Sequence, residues 1–200
     1  MHETRIRFRN AGILGSAAVL ACLASAAPAS AQGLPVTYEA TAVNLSNTGR
    51  TGMTQLQITV ERWSDDAERD RLRDALIEKG DDALLKAVQK IKPRAGFIRT
   101  NTSLGWDIQY ARRTELPEGG HRVVFATDRP MNFGEVARNA RSADYDFMLA
   151  EFHIKADGKG EGKLVPRAKI RYNKDAQSIE IEDYATQPVR LTQIIERSSK

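Results

Sequence analysis

The sequence predicts a mainly β domain of the α+β kind: an antiparallel sandwich or partly closed barrel of about nine strands, with one helical hairpin inserted. Three observations predict it. Apolar and polar residues alternate in short runs from Val36 almost to the end of the chain, which is the period of a half-buried strand. The runs are joined by brief links bearing Gly, Asn, Asp and Pro, and short links suit antiparallel neighbours because parallel pairs need long crossovers. One stretch alone, residues 64–92, changes to the 3.6-residue period of helix.

The elements follow in order. Val36, Tyr38, Ala40 and Ala42 share one side of a first strand, and Asn44 to Gly52, rich in Asn, Ser, Thr and Gly, reads as a hairpin loop. Leu56, Ile58 and Val60 then oppose Gln55, Gln57, Thr59 and Glu61. At Ser64 the pattern breaks. Ser64 or Asp65 is placed to cap a helix over 65–79, with Asp65 and Asp66 at its positive end and Gly80 as its stop. Leu84, Ala87, Val88 and Ile91 mark a second helix over 82–92, ended by Pro93.

Strands resume after Pro93. Phe97 and Ile98 start a short one, and Trp106, Ile108 and Tyr110 share a face of the next, opposite Asp107 and Gln109. The run Leu116-Pro117-Glu118-Gly119-Gly120 is a turn before the strand His121 to Thr127. Asp128 to Ser142 shows no clean period and reads as a loop with one helical turn. Tyr145 to Lys155 is a long strand, and Asp157 to Gly162 a hairpin loop. Leu164 to Tyr172 alternates again; Pro166 removes a ladder donor there, so an edge or a bulge is expected. Ile179 and Ile181 mark another strand, and Val189, Leu191, Gln193 and Ile195 the last.

Residues 1–31 carry an address. Arg5, Arg7 and Arg9 precede an uncharged apolar run from Ile13 to Ala27, and Ala29-Ser30-Ala31 supplies the small residues of a cleavage site before Gln32. That is the layout of a secretory signal peptide. It implies an exported bacterial protein, periplasmic or secreted, whose working part is a single domain over 32–200. The only cysteine, Cys22, lies in the apolar run. Cleavage after Ala31 would leave a mature chain with neither disulfides nor thiolate chemistry. The alternative is a lipoprotein anchored through Cys22, since Val19-Leu20-Ala21-Cys22 loosely follows a lipobox. The mature part holds no segment apolar enough to span a membrane.

Charge bears on one partner class. Taking Arg5, Arg7, Arg9 and Glu3 from totals of 30 basic and 26 acidic residues leaves a near-balanced mature chain. Nothing in that balance points to nucleic acid, whose binders carry a basic excess.

Chemistry is sparse. The mature part keeps two histidines, His121 and His153. With Asp107, Asp128 or Glu151 they would make an acid–base pair or a metal site, if adjacent strands brought them together. Against this, His121 leaves a Gly-Gly turn, which reads as solvated, and His153 shares a strand face with Glu151 and Lys155. No His-Glu-x-x-His, Gly-x-Ser-x-Gly or Ser-x-x-Lys motif occurs. The glycines of Asp157 to Lys163 fit neither a phosphate loop nor a calcium loop, and read as turn residues. Asn44-Leu45-Ser46 and Asn101-Thr102-Ser103 read as loop chemistry. Acidic and basic residues interleave along the helical hairpin, which suits surface pairing or, more sharply, a lid over the mouth of the barrel.

The expectation is therefore an exported β-rich protein that binds an envelope component or a small ligand without catalysis and without a cofactor. The alternatives are a hydrolase with a His/carboxylate site, and a carrier of an apolar ligand inside the barrel.

Overall fold

The structure, a computed structural model, describes residues 34–44, 52–129, 147–174, 178–182 and 188–198. The leader at 1–31 with Cys22, most of the Asn44–Gly52 loop, and nearly all of the Asp128–Ser142 segment lie outside these residues.

Alternation builds the ring. In β1 (Val36–Asn44), Val36, Tyr38, Ala40 and Ala42 are all buried. β1 pairs antiparallel with β2 (Gly52–Val60) in the register Tyr38↔Ile58, which stacks the buried set of one strand on Leu56, Ile58 and Val60 of the other. β3 (Gly96–Thr100), β4 (Trp106–Glu115), β5 (His121–Thr127) and β6 (Phe147–Ile154) follow as an antiparallel meander. β7 (Lys159–Asn173) pairs with β6 on one side and with β9 (Val189–Ser198) on the other, and β9 returns to β1. Eight strands thus close an antiparallel barrel without an edge.

Pro166 sits where the expected bulge falls. Between the pairs Phe147↔Ala168 and Leu149↔Val165, β7 has one residue more than β6. The extra residue absorbs the missing donor and bends the strand. Beyond it, Lys169–Asn173 leaves the ring and pairs with β8 (Ser178–Glu182) as a side hairpin. A second bulge, at Gln109, breaks the alternation expected in β4: Ile108 and Ala111 both reach the interior, and Tyr110 turns outward.

The glycines at 157–162 divide. Lys155 to Gly158 forms the turn, whereas Gly160 and Gly162 belong to β7, where a Cβ would meet the β6 backbone. Glycine inside a strand marks such a close approach.

The helical stretch folds as α1 (Asp66–Lys79) and α2 (Asp81–Gln89). Asp65 caps α1 by accepting the Glu68 N–H at 2.7 Å, a contact that contributes about 1 kcal/mol. Gly80, at φ 81°, ends α1 and begins α2. α2 stops at Gln89, short of the expected 92, because residues before a proline resist the helical conformation. Leu72, Leu76, Leu84, Val88 and Ile91 pack with Tyr110, Phe147, Leu149, Val165 and Tyr172. Leu149 lies between the interior residues Met148 and Ala150, and Val165 follows interior Leu164. The hairpin therefore covers the outer wall of the barrel, pinned by Arg112–Asp66 at 2.7 Å and Lys169–Asp81 at 3.5 Å.

Side chains fill the lumen. Tyr38, Ile58, Ile98, Ile108, Phe125, Met148, Phe152, Leu164 and Leu191 are fully buried in one cluster. Phe152 meets Tyr38 and Phe125 edge-on, at centroid separations of 4.9 and 6.3 Å. Each such pair adds about 0.5–1.5 kcal/mol beyond its area. Among the described residues, no helix is long and apolar enough to cross a membrane.

Candidate functional site

One polar cluster sits inside this apolar ring, near the β4–β5 turn. His121 has the same strand parity as Val123 and Phe125, so its side chain enters the lumen and is 3% exposed, not solvated as the Gly-Gly turn suggests. β1 and β5 stand on opposite sides of the ring. The Tyr38 hydroxyl nonetheless reaches His121 Nε2, at 3.3 Å, across the full width of the lumen. Glu196 Oε2, from β9, lies 3.3 Å from the same nitrogen. Arg113 of β4 approaches Glu196 at 3.6 Å and holds Glu115 at 2.7 Å.

The bulge in β9 makes this meeting possible. Glu39↔Ile195 is followed by Thr41↔Thr192, so Ala40 faces two β9 residues. Gln193 takes φ 52° there, a left-handed conformation unusual for a side-chain-bearing residue. The alternating residues that mark this strand, Val189, Leu191, Gln193 and Ile195, therefore do not share one face beyond Leu191: Ile194 is buried, and Gln193 and Ile195 face out. The flip turns Glu196 toward His121.

Burial dominates the electrostatics. It pushes the His121 imidazole down to about 4, helped by the Arg113 charge and opposed by Glu115. It pushes the Tyr38 phenol up, with the Glu196 charge adding to the effect. It also pushes the Glu196 carboxyl above its ordinary value, against the pull of Arg113. At neutral pH the cluster thus holds a neutral imidazole and a protonated phenol. As the Nε2–H tautomer, His121 donates to Glu196; as the Nδ1–H tautomer, it accepts from Tyr38. His121 itself is 3% exposed, and the cluster meets solvent through Glu196 and Arg113, whose side chains are about a fifth exposed.

The other candidates lie elsewhere. His153 pairs with Arg122 across β5 and β6, and its neighbours Phe152 and Ile154 point inward, so its ring is on the outer face with Glu151 at 3.2 Å. Arg122 and His153 together hold the Glu151 carboxyl below its usual range, Arg122 more strongly. Asp107 is 2.7 Å from Arg94, at the end of β4 remote from Glu115 and His121. Asp128 follows Thr127, at the other end of β5 from His121. None of these three joins His121. No group of three or more His, Cys, Asp or Glu residues among the described ones is placed to hold a metal. Tyr38, Arg113 and Glu196 were not legible as partners of His121, although the parity of His121, Val123 and Phe125 already signalled an inward ring.

Among the described residues, clefts indent the outer surface, and two of them bear on function. One, of about 360 Å³, lies over the β9 bulge and is lined by Glu39, Thr41, Gln55, Lys159, Gln193 and Ile195. In it Gln55 donates to Thr41 at 3.1 Å, and Thr41 donates to Gln193 at 3.3 Å. The other, of about 550 Å³, lies between the helical hairpin and the end of β2. Compared with known protein families, curated proteins and solved structures, the chain matches none.

Proposed function

We propose that this chain is an exported bacterial protein of the cell envelope that binds through its outer surface and catalyses no reaction. The observation that carries the reading is the packing of the lumen: Tyr38 and His121 meet across it at 3.3 Å, and the apolar side chains beside them, Phe125 and Phe152 among them, are fully buried. A barrel filled in this way offers a rigid scaffold, with its accessible concavities outside. The same packing weighs against carriage of an apolar ligand within. The leader layout of 1–31 supports export.

The hydrolase reading keeps one favourable observation, the carboxylate of Glu196 beside His121. A single preparation separates the two. The full chain, expressed with its leader in a bacterial host, is expected in the periplasmic fraction with Gln32 as its first residue. Assayed against chromogenic esters, phosphoesters and glycosides, it is expected to give the background rate, unchanged in His121→Gln. Hydrolysis above background that disappears in His121→Gln would overturn the non-enzymatic reading. Protein retained in the cytoplasm with Met1 in place would overturn export.

A further inference from the structure

We infer that the cleft between the helical hairpin and the end of β2 is a binding site for a compact ligand bearing an anionic phosphate group. The inference rests on the surface-binding reading and deepens it by naming the ligand's chemistry. The cleft is lined by Arg62, Glu68, Arg71, Lys90 and Lys92, over a floor of Ala87, Ile91 and Pro93.

Its charges are not balanced. Glu68 is 7% exposed and accepts two bonds from Arg62, at 2.8 and 3.1 Å. A third bond from Arg62 goes to the Pro93 carbonyl, at 2.9 Å. That pair is internally neutral and forms a fixed wall. Arg71, Lys90 and Lys92 are exposed, and no carboxylate among the described residues pairs with any of them. The other two arginines of α1 differ: Arg69 and Arg73 pair with Asp66, Asp70 and Asp74. Of the hairpin's cations that have no carboxylate partner among the described residues, Arg71, Lys90 and Lys92 line the cleft, whereas Lys79 and Lys86 do not.

Helix electrostatics explain part of this. Lys90 and Lys92 lie at the C-terminal end of α2, where the helix favours cations. Arg71 stands in the middle of α1, where no such effect reaches. Three cations on two elements, converging on a cleft whose only carboxylate is already satisfied, leave a local excess of positive charge in a near-neutral molecule. A guanidinium fork and two ammonium groups are the donors that phosphate oxygens take best. The apolar floor of Ala87, Ile91 and Pro93 suits the non-polar part of a sugar phosphate or of a lipid headgroup.

The test uses the mature protein in low-salt buffer. Sodium pyrophosphate is titrated while the backbone amides of Ala87, Lys90 and Ile91 are followed by nuclear magnetic resonance. In parallel, the protein is sedimented with vesicles of phosphatidylglycerol and of phosphatidylcholine. The triple variant R71Q/K90Q/K92Q changes only exposed side chains, and its urea midpoint verifies its fold. K155Q/K163Q/K174Q removes the same charge elsewhere. Saturable pyrophosphate binding, weakened about tenfold or more by the first variant and unaffected by the second, supports the site with a soluble phosphate as its ligand. Sedimentation with phosphatidylglycerol alone, lost in the first variant only, supports it with a lipid headgroup as the source. Either signal should fade as salt rises. No binding in either arm, or equal weakening by both variants, overturns the site. That failure leaves the broader reading standing, because export and the absence of His121-dependent hydrolysis are measured separately.

Discussion

Gly162→Ala is expected to lower stability by about 3 kcal/mol, the upper part of the range for forcing atoms into a packed interior. A Cβ at Gly162 would collide with the Glu151 carbonyl oxygen and stand 2.6 Å from the Phe152 Cα, both backbone atoms of β6. A flexible side chain could swing away; a paired strand cannot. The contact falls on the β6–β7 seam, where the register places Gly162 opposite Phe152, and that seam closes the barrel. Gly158 provides the internal comparison. It takes φ 78° in the turn, with nothing within 4 Å of its absent Cβ. Gly158→Ala therefore meets only the left-handed backbone penalty, about 1–2 kcal/mol. Urea unfolding of the two variants checks the ranking. A Gly158 variant weaker than the Gly162 variant would contradict the close approach at the seam.

Acid is expected to destabilise the protein between pH 6.5 and 4 through His121. The folded imidazole sits at about 4, against 6.5 for the free group. As pH falls, the unfolded chain takes up this proton first. The stabilisation is full above 6.5, drains away through the interval, and is gone below about 4. A shift of this size corresponds to about 3 kcal/mol. Glu196 acts in the opposite sense. Its raised value favours the folded state below the ordinary carboxyl range, and that contribution is lost as pH rises through the folded value, so it offsets part of the His121 effect. His121→Gln keeps a hydrogen-bonding group beside Tyr38 and Glu196 but does not titrate. Unfolding free energy measured across this interval should show a shallower acid limb in the variant. Parallel curves for variant and parent would remove His121 as the source.

The strands that the sequence revealed are those in which alternation runs unbroken. Val36 to Ala42 and Leu56 to Val60 bury the residues that the pattern names, because one face of each lines the interior of the barrel. The hairpin was legible for a similar reason: Asp65, Gly80 and Pro93 punctuate it with cap, stop and breaker chemistry. Pro166 announced its own bulge. Closure of the ring was not legible, because it depends on β9 pairing with both β7 and β1, strands distant in the chain. Gly160 and Gly162 resembled turn residues beside Gly158. The site was hidden by the Gln193 bulge, which reverses the facing of every residue after it. Alternation from Val189 would send Glu196 outward; the signals of the reversal are Gln193, polar at an inward position, and the apolar pair Ile194-Ile195 after it. The cleft was hidden differently: it needs two helices and the end of a strand folded together before Arg71, Lys90 and Lys92 share a surface.

The measurement that tests the closed, filled barrel most directly is the nuclear Overhauser contact between the rings of Tyr38 and His121. Their centroids lie 6.3 Å apart, on strands at opposite sides of the ring, so no open sheet brings them together. Cross-peaks between the two rings, together with cross-peaks from Tyr38 to Phe152, are the predicted result. Tyr38 and His121 rings that show contacts only to their own neighbouring strands, with solvent exchange across the lumen, would contradict it.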